Sequence, residues 1–207
     1  MLEETAFAPG ESPFRTKGNV YRALLESADR RVPGSRSAVL ASLDPALVRF
    51  YAQPFLAGAT YDLFPVVPFG AAGARLCNLS YPEFVRGGAA FAAERDMRGI
   101  YKFLLRFTSP AALVQRLPKI LLQYFDFGKV EGKFLSECSY QAVVSDIPQP
   151  VNLWLMNVAH GFMPIVMKAA GARDATLQLG QAMTDGRRHG VAMLRATFTI
   201  TWKPTPA

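Results

Sequence analysis

Apolar residues recur at three- and four-residue intervals as far as Tyr124 and at every second position from Gly128 onward, so a helical half is followed by a half rich in strands. Met1 to Lys17 keeps neither period and contains Pro9, Gly10 and Pro13, which predicts a tail or an edge strand. Val20, Tyr21, Leu24, Leu25 and Ala28 then lie on one helix face behind Asn19, a capping residue, with a stop before Pro33-Gly34. Three further helix starts place a capping side chain ahead of a proline: Asp44-Pro45, Ser109-Pro110, and Ser80 followed by Pro82, where Glu83 completes a capping box. Gln53 to Gly73 is too apolar for a linker and reads as a packed irregular stretch with a short helix after Pro68. The helix from Ser80 is weakened at Gly87-Gly88 and resumes with Met97, Ile100, Tyr101, Leu104 and Leu105 toward the core. The helix from Ser109 is expected to bury Leu113, Leu117, Ile120, Leu121 and Tyr124 and to bend at Pro118.

After Gly128 the alternation predicts strands near 129–136, 139–147, 175–184 and 191–202, with a helix over 150–170 and a turn across Asp185 to Gly190. In the last strand Ala196, Phe198, Ile200 and Trp202 alternate with Arg195, Thr197, Thr199 and Thr201, giving one buried and one wet face. The fold class is therefore α+β: an N-terminal helical region, then a four-stranded antiparallel sheet in the order β-β-α-β-β packed against helices. Residues 18–202 are expected to form a single domain, with 1–17 a tail or edge segment and 203–207 a tail.

Composition sharpens this only in part. The chain has 207 residues, half of them hydrophobic, enough to fill a core without disulfides. Its net charge of +7 favours acidic partners, but the cations are scattered rather than clustered, which argues against nucleic acid. Two Cys and no signal-like N-terminus imply a reducing, cytoplasmic setting. Ile147 to Met167 lacks Asp, Glu, Lys and Arg, yet three prolines interrupt it, so a buried kinked helix is expected rather than a membrane span.

Catalytic and metal chemistries find few residues. There is no Gly-x-Ser-x-Gly element, and Gly70-Ala71-Ala72-Gly73 lacks the Lys-Ser/Thr that a phosphate cradle needs. Cys77 and Cys138 read as small hydrophobes, and two His cannot build a three-His site. No enzyme activity, metal or cofactor is expected.

The second half resembles a known pattern, carried by Ala159-His160-Gly161-Phe162, by Gly171 to Leu177, and by Ala196-Thr197-Phe198-Thr199-Ile200-Thr201-Trp202. It looks like the superfamily of 4-vinyl-reductase-type domains, haem-nitric-oxide-binding-like domains and Bet3-like tethering subunits. Lys17 to Leu24 adds a likeness to a paralogous family of uncharacterised myxobacterial proteins. The resemblance implies a ligand-sensing or scaffolding domain, often dimeric, without a shared reaction. Two departures count against metal and haem: the strands after the long helix carry Met183 and Met193 but no Cys, and Ser139-Tyr140 is followed by no Arg of the propionate-binding Tyr-x-Ser-x-Arg element. A haem would then rest on His160 alone.

Three readings result. The first is a non-enzymatic sensor or regulatory domain binding an apolar small molecule, with Trp154, Val158, Phe162 and Met163 giving shape, Asn157 or His160 orientation, and Tyr101 and Tyr140 approaching from neighbouring elements. A solid core filled by adaptable Met is the competing description of the same residues. The second is a protein-interaction module that homodimerises through its helices, with the basic stripe Arg98, Lys102 and Arg106 available to an acidic protein partner. The third is a haem-based gas sensor.

Overall fold

In the computed structural model, residues 7–98 and 109–204 are described. The core face expected at Ile100, Tyr101, Leu104 and Leu105 and the stripe through Lys102 and Arg106 lie outside them.

The N-terminal segment is an edge strand: β1 (Arg15–Lys17) pairs antiparallel with β2 (Thr60–Asp62). It runs straight into α1 (Gly18–Arg31), whose cap position is Lys17 rather than Asn19. Backbone replaces the expected side-chain cap, since the amides of Gly18 and Asn19 donate to the carbonyls of Ala59 and Ala57 at 2.8 and 3.3 Å. That approach requires glycine at 18, where a Cβ would sit 2.1 Å from the Leu56 carbonyl oxygen. Behind it, the buried Asp62 carboxylate accepts hydrogen bonds from the amides of Gly10, Ser12 and Phe64 and from the Ser12 hydroxyl.

α2 (Ser35–Ala41) and α3 (Pro45–Tyr51) follow, the latter starting at the expected proline but without a side-chain bond from Asp44. α4 (Val66–Leu76) begins two residues before Pro68, which is harmless because first-turn amides have no helical acceptor. α5 (Tyr81–Arg98) opens with the expected capping box: the Ser80 amide donates to Glu83 Oε2 at 2.9 Å and the Glu83 amide to Ser80 Oγ at 3.4 Å. It runs unbroken through Gly87-Gly88, where the Arg31 guanidinium occupies the space that side chains would fill. The helix from Ser109 does not bend but divides into α6 (Pro110–Gln115) and α7 (Leu117–Tyr124), since Pro118 fits a new first turn better than a helix interior.

β3 (Lys129–Ser136), β4 (Ser139–Pro148) and α8 (Gln149–Ala169) match the expected segments within a residue. The strand expected at 175–184 is instead two, β5 (Arg173–Leu179) and β6 (Met183–Arg188), both paired antiparallel to β7 (Val191–Lys203). Leu179 faces Phe198 and Met183 faces Arg195, so one extra residue must be accommodated between the two pairings, and the strand breaks there. The turn accordingly shrinks from the expected 185–190 to His189-Gly190, both with positive φ, as a two-residue hairpin loop requires.

The sheet order is β3-β4-β7-β5 with β6 beside β7, antiparallel throughout. Ala196, Phe198, Ile200 and Trp202 are buried on one face, as the alternation requires. α8 packs against α5 and the sheet, burying Trp154, Leu155, Met156, Met163, Val166 and Met167. Among the described residues no helix is long and apolar enough to cross a membrane.

Candidate functional site

α7 is amphipathic, yet none of its residues is buried. Leu117, Ile120, Leu121 and Tyr124 face a cavity of about 220 Å³ between the helical region and the sheet. α1 contributes Val20, Ala23 and Leu24, α5 contributes Phe84, Val85, Ala89 and Ala92, and Val130, Val144 and Phe198 form the sheet side. The remaining wall is α8, through Trp154, Leu155, Val158, Ala159, Phe162 and Met163. α5 and α8 can stand this close because Gly161 lies against the Arg86 backbone. The lining is almost wholly apolar, with Asn19, Arg95 and Asp96 grouped on the α1 and α5 walls.

The structure thus brings four of the sequence-designated residues, Trp154, Val158, Phe162 and Met163, to one cavity. It places Asn157 elsewhere: buried against α5, it accepts from Arg86 Nε at 2.8 Å and donates to the Leu153 carbonyl at 2.8 Å, so its polar groups are spent. His160 is half-buried on α8, outside the lining. Tyr140 is also off the cavity, held across the sheet with its ring over Gly132 and edge-on to Phe134 at 5.1 Å. Tyr101 lies outside the described residues. Sequence reading missed the α1 and α7 walls, whose stripes have the spacing of ordinary core faces.

Burial pushes the His160 pKa down, and the nearby Arg86 charge adds to the shift. The folded protein therefore binds this proton less readily than the unfolded chain, whose His titrates near about 6.5. The His160 contribution is present above that pH and lost as pH falls through it. The melting temperature is expected to drop between about pH 7 and 5, with a shallower drop in His160→Gln. Equal slopes would remove His160 from the acid response.

No protein-family model and no curated protein matches the sequence. Solved structures do match. An oxygen-binding H-NOX domain related to soluble guanylate cyclases superposes with a TM-score of 0.64 at 10% identity, over 91% of this chain and 96% of that one. The chain has the H-NOX fold. An H-NOX structure that probes heme distortion gives a TM-score of 0.65 at 10% identity, over 92% and 97% of the two chains. A mutant Fe(II) unliganded H-NOX protein from K. algicida gives 0.62 at 8%, over 90% and 96%. These matches agree in fold with the haem-nitric-oxide-binding branch of the resemblance, and nothing among them bears on the myxobacterial family or on the other two branches.

The H-NOX fold raises haem, and the residues here do not fit it. Neither His and neither Cys of the chain lines the cavity: His160 is off the wall, His189 is exposed in the β6–β7 turn, and Cys77 and Cys138 lie elsewhere. The lining guanidinium, Arg95, is held by Asp96 at 2.8 Å and Glu26 at 3.4 Å, and Arg22 of the adjoining basin is a single cation where haem carries two propionates. The space is also small, since a dry cavity of about 150 Å³ holds one benzene and a haem needs several times that.

Proposed function

We propose that this chain is a non-enzymatic sensor domain that uses the H-NOX fold to hold an apolar small molecule, rather than haem, between α1, α5, α7 and α8. The observation that carries this reading is the cavity itself. Four helices and the sheet line about 220 Å³ that they leave unfilled and partly open, although each wall carries at least one large apolar side chain. Well-packed cores leave few voids larger than a water, so an apolar space of this size suits an occupant. Trp154, Val158, Phe162 and Met163 supply its shape, together with the α7 stripe.

The haem-based gas sensor is the second reading, favoured by the fold of the oxygen-binding neighbour. Absorbance separates the two. Protein from cells supplied with a haem precursor is expected to show no Soret band, and a band that vanishes in His160→Ala would establish the haem reading.

The ligand reading is tested on its wall. Trp154→Ala and the sheet-core control Trp202→Ala, a residue outside the cavity lining, each remove a buried aromatic, a change that costs about 3–5 kcal/mol in a solid core. Trp154→Ala is expected to destabilise less than its control and to weaken uptake of an environment-sensitive apolar dye by about tenfold, as roughly 1.4 kcal/mol of lost contact implies. Equal losses, with no dye bound by the unmodified protein, would indicate a solid core.

A further inference from the structure

The cavity does not end in apolar residues. On the α1 and α5 side it abuts an open basin of about 790 Å³, and Asn19, Arg95 and Asp96 line both spaces. The basin adds Arg22, Glu26, Arg36 and Gln53. Its acids are already engaged: Arg95 lies between Asp96 and Glu26, while Arg36 is tied to Asp29. Gln53 donates its amide to the Phe50 carbonyl at 2.8 Å. Among the described residues, the Arg22 guanidinium has no ion pair and the Asn19 side-chain amide has no hydrogen bond. These two unspent groups lie three residues apart on one face of α1, Asn19 at the junction of the apolar cavity and the wet basin and Arg22 within the basin.

We propose that the ligand is a medium-chain amphiphile whose carboxylate meets Arg22 and Asn19 while its hydrocarbon tail fills the cavity. The proposal rests on the ligand reading above and names its class. A guanidinium is donor-only, and its best partner is an acceptor-only carboxylate. A cationic head would find both basin carboxylates already held by Arg95. The tail is a medium-length one because 220 Å³ is only modestly more than the ~150 Å³ cavity that takes a single benzene. Eight-carbon compounds therefore serve as probes.

The test is displacement of a bound neutral apolar dye, Nile red, by octanoate and by 1-octanol at neutral pH. Octanoate is expected to displace it about fivefold better, the upper range for a solvent-exposed ion pair. Arg22→Gln should reduce that preference to about one without changing the octanol constant, and Arg22→Lys should keep most of it. Arg22 is exposed and unpaired, so these variants are expected to fold normally. Equal displacement by acid and alcohol in the unmodified protein would overturn the head-group proposal and leave the cavity reading intact. Stronger displacement by octylamine would do the same. Absence of dye binding would sink both.

Discussion

Removing the Asp62 carboxylate is expected to cost about 3–5 kcal/mol, comparable to deleting one partner of a buried charged pair. Asp62 is 1% exposed, and its two oxygens accept from the Gly10 amide at 2.8 Å, the Ser12 amide at 3.2 Å, the Ser12 hydroxyl at 2.5 Å and the Phe64 amide at 2.9 Å. In Asp62→Ala these donors lose their acceptor in a site with little access for water, and each unsatisfied group carries its own desolvation cost. The damage also reaches α1, because the Tyr21 hydroxyl donates to the Asp62 carbonyl and β1 is registered on β2 through Arg15 opposite Asp62. Asp62→Asn keeps one acceptor oxygen and should lose about half as much. Urea unfolding reads both, and a loss under about 1 kcal/mol in Asp62→Ala would remove this residue as the anchor of the N-terminal segment.

Gly161→Ala is expected to cost about 3 kcal/mol or more, beyond the usual penalty for one added methyl in a core. A Cβ at 161 would lie 2.2 Å from the Arg86 carbonyl oxygen and 2.9 Å from its carbonyl carbon, and both are backbone atoms that no rotamer change can move. α5 and α8 would have to separate, and because both wall the cavity, dye uptake should fall with stability. Gly58→Ala is the control: a Cβ there meets nothing within 4 Å, so its cost should stay within about 0.5 kcal/mol. Similar melting temperatures for the two variants would mean that α5 and α8 are not in backbone contact.

Much of the fold is legible in the sequence because local chemistry and tertiary structure agree there. The Ser80 capping box, the Ser109 cap, the turn from period 3.6 to period 2 after Gly128, and the buried and wet faces of β7 all follow from short-range rules. The failures share one cause, namely partners distant in sequence. Asn19 does not cap α1 because the loop before β2 supplies carbonyls in its place, and the strand after α8 breaks because of a one-residue slip against β7 that periodicity does not register. The site shows the same division. Trp154, Val158, Phe162 and Met163 stand out as an excess of large side chains on one helix, whereas the α7 stripe looks like an ordinary core face until the structure leaves it uncovered. His160 and Asn157 attract notice as polar residues in an apolar run, but helix geometry turns them away from the cavity, Asn157 to Arg86 on α5.

The central claim is that the space between α1, α5, α7 and α8 receives an apolar molecule, and filling that space tests it most directly. Ala159→Phe puts a ring on the α8 wall. Where a cavity exists the ring enters empty volume, which commonly adds about 0.5–2 kcal/mol, and it excludes a ligand. In a packed core the same change overpacks and costs about 1–3 kcal/mol. Saturable binding of Nile red by the unmodified chain, lost in Ala159→Phe while the melting temperature holds or rises, is the predicted result. Dye binding that is unchanged in the variant, or a variant that melts several degrees lower, would contradict it.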